Sequence, residues 1–197
     1  MNALIYPNLI LGFHGCDKTI AKKVLDGEED LLLSENSYDW LGKGVYFWEN
    51  DYHRALEFAR ENSKKEPFVL GAILYLGYCL DLTQRRNAEL LRLSYNNLLD
   101  DTIKNSVVNR PGKKNEGLTD DLPLRFLDCA VINAIHEFNK EHRIAEYDSV
   151  KAAFWEGEPI YKTAGFREKN HIQICIRNKK CILGYFMPRI DSYLGIK

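Results

Sequence analysis

Residues that could do chemistry lie in three short stretches of this 197-residue chain. His14 stands beside Gly15 at the end of the apolar run "LILGF". Lys43 lies between two glycines directly before "VYFW", and the alternating run "HIQICI" carries His171 and Gln173. An imidazole donates or accepts a hydrogen bond, an amide carbonyl accepts one, and a glycine lets a flat ring approach the backbone. Together these residue types can hold a ligand that carries hydroxyl groups and a planar ring.

The composition predicts one compact domain of ordinary charge. The chain is 45% hydrophobic, and its 27 basic and 28 acidic residues give a formal charge of -1, so no nucleic-acid or anionic-membrane partner is indicated for the chain as a whole. The start of the chain has no signal-peptide pattern and no apolar run approaches a membrane span, which leads us to expect a cytoplasmic protein without a membrane partner. The odd number of cysteines, without zinc-site spacing, predicts neither a disulfide framework nor a metal site. The cysteines are Cys16, Cys79, Cys129, Cys175 and Cys181.

The elements that must position these residues follow from hydrophobic periodicity. "LILGFHG", "VYFW", "SVKAAFW", "HIQICI" and "CILGYFM" have strand patterns, while "DKTIAKKVLDG" and "YHRALEFARENSKK" have helical spacing. The apolar run "FVLGAILYLGYCLDL" predicts one long or bent buried strand. The middle of the chain, about 82–145, is mainly helical and places His136 inside an amphipathic helix as a structural residue. Strands at both ends and helices in the middle predict a single α+β domain with a mixed or mainly antiparallel sheet.

Three of these segments resemble a known enzyme family when they are taken in chain order. "GFHG", "WLGKGVYFWEND" and "HIQICIRNKKCILGYF" are similar to the diphtheria-toxin-like ADP-ribosyltransferases, and specifically to the branch of the poly-ADP-ribose polymerases. The resemblance covers about residues 10–80 and 150–187. It implies the split sheet of that family, with the helical middle as an insertion to which the family assigns no motif.

The resemblance implies that the protein binds NAD+ as a substrate and needs no metal. It assigns His14 to the adenosine ribose, the backbone of Gly15 to the nicotinamide, and Gly44 and Tyr46 to the same cofactor-binding set. The Tyr46 ring would stack on the nicotinamide, and Phe58 is the candidate for the second face of that sandwich. Stacking on a cationic ring contributes about 1 kcal/mol or more once the pair is desolvated.

The chain departs from the family at the third catalytic position. Gln173 stands where the polymerases carry a glutamate, which gives an H-Y-Q variant of their H-Y-E pattern. An amide keeps the hydrogen bond to the nicotinamide ribose but brings no negative charge to the breaking glycosidic bond. His171 projects from the same strand face and is a candidate for the acceptor side. Glu158, like its loop neighbours Glu156 and Glu168, could supply the missing carboxylate.

The expected function is therefore mono-ADP-ribosylation of a macromolecule, with His14, Tyr46 and Gln173 as the catalytic set. The acceptor would be a protein or a nucleic acid, and toxin or defence roles fit such an enzyme. Three alternatives remain open. One is a catalytically weak module that binds NAD+ or ADP-ribose in the same cleft. Another is an enzyme like the NAD+-using RNA 2'-phosphotransferases, against which the near-neutral charge argues. The third is a scaffold that binds a partner through the helical middle and does not bind NAD+.

Overall fold

A computed structural model describes residues 9–63, 65–98, 107–112 and 122–189. The described helices are α1 (Lys18–Leu25), α2 (Tyr52–Asn62), α3 (Arg85–Asn97) and α4 (Phe126–Glu141). The strands are β1 (Ile10–Asp17), β2 (Val45–Glu49), β3 (Pro67–Leu74), β4 (Cys79–Asp81), β5 (Ser149–Phe154), β6 (His171–Ile176) and β7 (Ile182–Phe186), with a 3-10 turn at Lys179–Cys181.

The strands form one seven-stranded sheet in the order β4-β5-β6-β2-β1-β3-β7. The β4–β5 pair is parallel, and the other neighbours along the sheet are antiparallel. The fold is therefore α+β with a mixed sheet, as the order of strand and helix patterns predicts. Strands from both ends of the chain meet in the centre, where β6 pairs with β2.

Alternation along the strands gives the sheet two apolar faces. On one face, α1 packs over a buried cluster that includes Phe47, Leu70 and Ile174, and we call this the α1 face. On the other, α2 covers a cluster around Trp48 and α4 covers a second cluster around Ala152. We call this the α2/α4 face. Successive side chains of a strand point to opposite faces, so each functional residue can be assigned to one of them.

The prediction of one long or bent strand for the apolar run after α2 is wrong, because the run forms two separate strands. It forms β3 next to β1 and β4 at the far edge of the sheet. The chain turns between them at Gly77, whose φ is 60°. The Asp148 carboxylate accepts a hydrogen bond of 2.8 Å from the Tyr78 amide, and a Cβ at Gly77 would lie 2.3 Å from that carboxylate. Only a glycine fits this turn without strain.

The helical middle is present in α3 and α4, while residues 99–106 and 113–121 of the predicted insertion lie outside the described residues. His136 is 2% exposed within α4, and its ring packs edge-on against Tyr147 with ring centroids 6.0 Å apart. It is a core residue, as predicted. Among the helices that the structure describes, none is long and apolar enough to cross a membrane.

Candidate functional site

The ladder between β1 and β2 is short, and the two strands separate beyond it. They pair at Gly12–Glu49 and at Phe13–Trp48, whereas β1 pairs with β3 along all its residues from Ile10 to Asp17. The sheet is therefore continuous but has an opening between β1 and β2 beyond Phe13. His14 and Gly15 lie on one side of this opening.

The backbone of Gly15 faces the opening. The amide of Asn50 on the β2 side donates a 2.9 Å hydrogen bond to the Leu11 carbonyl, which shows that the polar groups of Leu11 point towards β2. In an antiparallel ladder every second residue points its amide and carbonyl the same way. Those of Gly15 therefore also point towards β2, where the described ladder gives Gly15 no partner strand.

The side chain of His14 spans the same opening. Its Nδ1 lies 2.8 Å from the Tyr46 carbonyl oxygen. A carbonyl oxygen only accepts, so Nδ1 carries the proton. Burial lowers the pKa of His14 below its ordinary value, although the bond to the Tyr46 carbonyl opposes this shift. The ring is therefore neutral near pH 7, and its Nε2 presents a lone pair that can accept a hydrogen bond from a hydroxyl.

Tyr46 is fixed by its own loop. Its hydroxyl donates to the Gly42 carbonyl at 2.5 Å and accepts from the Leu41 amide at 2.9 Å. Burial raises the pKa of this hydroxyl above its ordinary value. Gly44 lets the chain approach β6 closely, because a Cβ there would lie 2.4 Å from the Cys175 sulfur. The ring thus has a fixed orientation, which a stacking platform requires.

Gln173 shares a sheet face with Tyr46, and His14 does not. Gln173 pairs with Trp48 across β2 and β6, and Trp48 lies two residues from Tyr46, so all three belong to the α2/α4 face. The His14 ring lies near Phe47 instead, with centroids 5.8 Å apart, on the α1 face. The predicted catalytic set is therefore divided between the two faces of the sheet, with His14 beside the β1–β2 opening.

The α2/α4 face carries a group of buried polar atoms without partners among the described residues. Trp48 Nε1, Arg54 Nε, His171 Nε2 and Gln173 Oε1 are all buried and unpaired. A buried polar atom left without a partner costs about 1–3 kcal/mol, and native proteins contain few of them. Two donors and two acceptors on one sheet face are therefore a candidate ligand site.

An ion-pair network surrounds this group. Arg54 on α2 bonds to Glu57 at 2.8 Å and to Glu156 in the β5–β6 loop at 2.6 Å. Lys169 bonds to Glu57 at 2.5 Å. These partly buried pairs tie the loop before β6 to α2. Sequence reasoning missed Trp48 and Arg54, although the position of Trp48 two residues after Tyr46 was a usable signal.

Two predicted site residues lie elsewhere. Phe58 is 40% exposed and packs on Trp48 with centroids 5.0 Å apart, while Tyr46 packs with the cluster under α4. The two rings are not brought together, because the Trp48 side chain occupies the space beside α2. Glu158 is exposed, and Glu156 is the loop carboxylate that approaches His171, at 3.7 Å from Nδ1.

A cavity of about 400 Å³ adjoins the site on its α4 side. Most of its lining is apolar and comes from α3, α4, β5 and the loop before β2, including Trp40, Leu91, Val131, Ala152 and Phe154. Ala152 pairs with Gln173 across β5 and β6, so a residue that lines the cavity is a direct neighbour of Gln173 on the same sheet face. Among the residues described, no three or more His, Cys, Asp or Glu side chains form a group that could hold a metal ion.

The chain is 25% identical over 184 residues to a protein of Methanocaldococcus jannaschii named "Uncharacterized protein MJ0359", and the match covers 86% of this chain and 83% of the archaeal protein. No family model matches the chain. No solved structure matches it either.

Proposed function

We propose that this protein is a mono-ADP-ribosyltransferase, which cleaves NAD+ at its nicotinamide glycosidic bond and passes ADP-ribose to an acceptor. The observation that carries the proposal is the opening between β1 and β2. Gly15, His14 and Tyr46 flank this break in the sheet, and His14 Nδ1 donates a hydrogen bond across it to the Tyr46 carbonyl. These are the groups to which the sequence resemblance assigns NAD+.

Each group has a use in this reaction. The amide and carbonyl of Gly15 can bond to the carboxamide of nicotinamide, and His14 Nε2 can accept from a ribose hydroxyl. Gln173 Oε1 is an acceptor for the second ribose, next to the bond that breaks. An acceptor atom then attacks the anomeric carbon as the bond to the nicotinamide nitrogen breaks, and neutral nicotinamide leaves.

A second candidate function is a module that binds NAD+ without turning it over. The neutral amide of Gln173 favours this candidate, because it brings no charge to stabilise the transition state. The two candidates share the same binding site and differ only in chemistry. Release of nicotinamide therefore distinguishes them.

Calorimetry with NAD+ on the purified full chain, followed by measurement of nicotinamide release, tests the proposal. We expect binding that Tyr46→Ala weakens at least tenfold. Tyr78→Ala is the matched control, since Tyr78 is 46% exposed and stacks on Tyr147 outside the site. A folded wild-type protein that binds no NAD+ at millimolar concentration refutes both candidates, and binding without nicotinamide release supports the second.

A further inference from the structure

The proton on His171 has a defined position. Its Nδ1 lies 2.8 Å from the Lys169 carbonyl oxygen, and because that oxygen can only accept, Nδ1 is the donor. The remaining lone pair is on Nε2, which is buried and has no partner among the described residues. His171 lies two residues before Gln173, so both side chains project from the same face of β6. The structure thus holds an unused basic nitrogen beside the amide assigned to the nicotinamide ribose.

The surroundings of His171 suit a group that gains a proton during a reaction. The rings of Trp40, Trp48 and Phe154 lie around the imidazole, with centroids 5.6 to 6.5 Å away. The Glu156 carboxylate is 3.7 Å from Nδ1, where it can stabilise an imidazolium.

The charged groups around His171 come from two further elements. Arg54 on α2 and Asp51 at its N-cap act on the imidazole together with Glu156 from the β5–β6 loop. Burial, followed by Arg54, lowers the pKa of His171, while the Lys169 carbonyl, Glu156 and Asp51 raise it, and the net shift is downwards. The free protein therefore holds a neutral base at pH 7.

We propose that His171 is the base for a hydroxyl acceptor in the ADP-ribosyl transfer, a proposal that rests on the function proposed above. The acceptor oxygen attacks the anomeric carbon of the nicotinamide ribose, and the bond from that carbon to the nicotinamide nitrogen breaks. The hydroxyl proton passes to His171 Nε2, nicotinamide leaves with the bonding electron pair, and the imidazolium later returns its proton to water.

The acceptor class follows from the charges near His171. A carboxylate acceptor has no proton to give up and would need no base. A guanidinium acceptor would bring a second cation beside Arg54 and would need a far stronger base than a neutral imidazole. An alcohol, or water itself, has one proton to lose and no charge, so it matches both the base and its surroundings.

The test compares His171→Gln with His53→Gln in the full chain. His53 is an exposed histidine on α2 and serves as the matched control. With NAD+ and water as the probe acceptor, we expect His171→Gln to bind NAD+ within about threefold of wild type and to release nicotinamide about 10²–10⁴ times more slowly. Nicotinamide release by wild type should fall as the pH drops through the pKa of the base, which gives an acidic limb in the pH–activity profile. This limb should be absent from the profile of His171→Gln.

A second variant, Glu156→Gln, keeps the imidazole in place. Because Glu156 raises the pKa of His171, its neutralisation should move the acidic limb to lower pH, and an unmoved limb overturns the proposal. Two other results would also overturn the proposal: wild-type turnover by the His171→Gln enzyme, and a wild type that binds NAD+ and never releases nicotinamide. Absence of NAD+ binding by wild type is instead a failure of the proposed function itself.

Added methanol and agmatine test the acceptor class. Wild type should form methyl ADP-ribose in proportion to the methanol concentration, and His171→Gln should lose this product together with hydrolysis. Agmatine, which offers a guanidinium, should give no adduct. An agmatine adduct formed in preference to the methyl product overturns the assignment of a hydroxyl acceptor.

Discussion

At the scale of single residues, the position of a proton decides what each site histidine can do. The Nδ1 atoms of His14 and His171 both donate to backbone carbonyls, so both rings present Nε2 as an acceptor. His14 does so on the α1 face, beside the β1–β2 opening, and His171 does so on the α2/α4 face. One is suited to hold a hydroxyl and the other to take a proton from one, and Gln173 lies beside the second.

Gln173 is the residue where the chemistry can be changed most directly. Gln173→Ala removes the unpaired acceptor Oε1, and we expect nicotinamide release to fall about 10- to 100-fold, since loss of a single stabilising group at a transition state has effects of this order or larger. Gln173→Glu adds a negative charge at the breaking bond and should increase NAD+ cleavage. Measurement of nicotinamide release by both variants checks this, and indifference to both changes would show that Gln173 does not face the ribose.

The same residue predicts the form of the product. Chain elongation needs a hydroxyl of an attached ADP-ribose, a poor nucleophile, to attack the anomeric carbon. His171 can take its proton, but the neutral amide of Gln173 does not stabilise the charge at the breaking bond. We expect labelled NAD+ to give single ADP-ribose units on the acceptor. Gel analysis that shows long labelled chains made by wild type would contradict this.

His14 should matter more for binding than for folding. His14→Ala removes one hydrogen bond to a backbone carbonyl, which stabilises a protein by about 1 kcal/mol, and it also removes the Nε2 acceptor that we propose for the ribose. We expect NAD+ binding and turnover to fall at least tenfold while the protein stays folded. His142→Ala is the control, because exposed His142 makes the same kind of Nδ1 bond, to the Phe138 carbonyl at 2.9 Å. A His14→Ala chain that unfolds would assign His14 to the core.

At the scale of elements, periodicity predicted the strands and helices but not the sharp turn between β3 and β4. The run "FVLGAILYLGYCLDL" has no polar break, and the turn at Gly77 depends on Asp148, some seventy residues further along the chain. Phe58 shows the same limit. Its helical position is as expected, but the Trp48 ring lies beside α2 and is the ring that Phe58 meets.

The candidate site could be predicted only in part, because some of its contacts join distant segments of the chain. His14, Tyr46 and Gln173 each lie in a short motif that is visible in the sequence. The unpaired group around Trp48 and Arg54 arises only when α2, β2 and β6 pack together, and no local pattern encodes that packing. Which sheet face each residue occupies follows from strand register, which a single sequence leaves open.

The contact between β1 and α2 gives an element-scale prediction. A Cβ at Gly15 would lie 2.2 Å from the Ala55 carbonyl oxygen, which is helix backbone and cannot rotate away. We expect Gly15→Ala to lower the free energy of unfolding by about 2 kcal/mol or more, as overpacking in a core does. Gly184→Ala on β7 is the control, since a Cβ there meets nothing within 4 Å. Urea unfolding of both variants measures the difference, and equal midpoints would contradict the tight packing of α2 on β1.

At the scale of the whole molecule, burial couples the stability of the fold to pH through its histidines. Burial lowers the pKa of His14, His136 and His171, so each remains neutral in the folded protein. Below about pH 6.5 the unfolded chain binds protons at these positions that the folded protein does not bind. Acidification therefore favours unfolding, and stability should rise with pH up to about 7.

His136 lets this coupling be measured away from the candidate site. Burial, followed by Arg177, lowers its pKa to about 3, and neither ring nitrogen has a partner among the described residues. For one such group the free energy of unfolding should fall by about 2 kcal/mol between pH 7 and pH 5, because the unfolded chain gains a proton over that range and the folded protein does not. His136→Phe keeps the ring packing against Tyr147 and removes the titrating nitrogens. Urea unfolding at pH 7 and pH 5 measures this difference in the free energy of unfolding. The difference should be smaller by about 2 kcal/mol in His136→Phe and unchanged in the exposed control His53→Phe. An unchanged dependence in His136→Phe would mean that His136 takes up its proton without unfolding of the core.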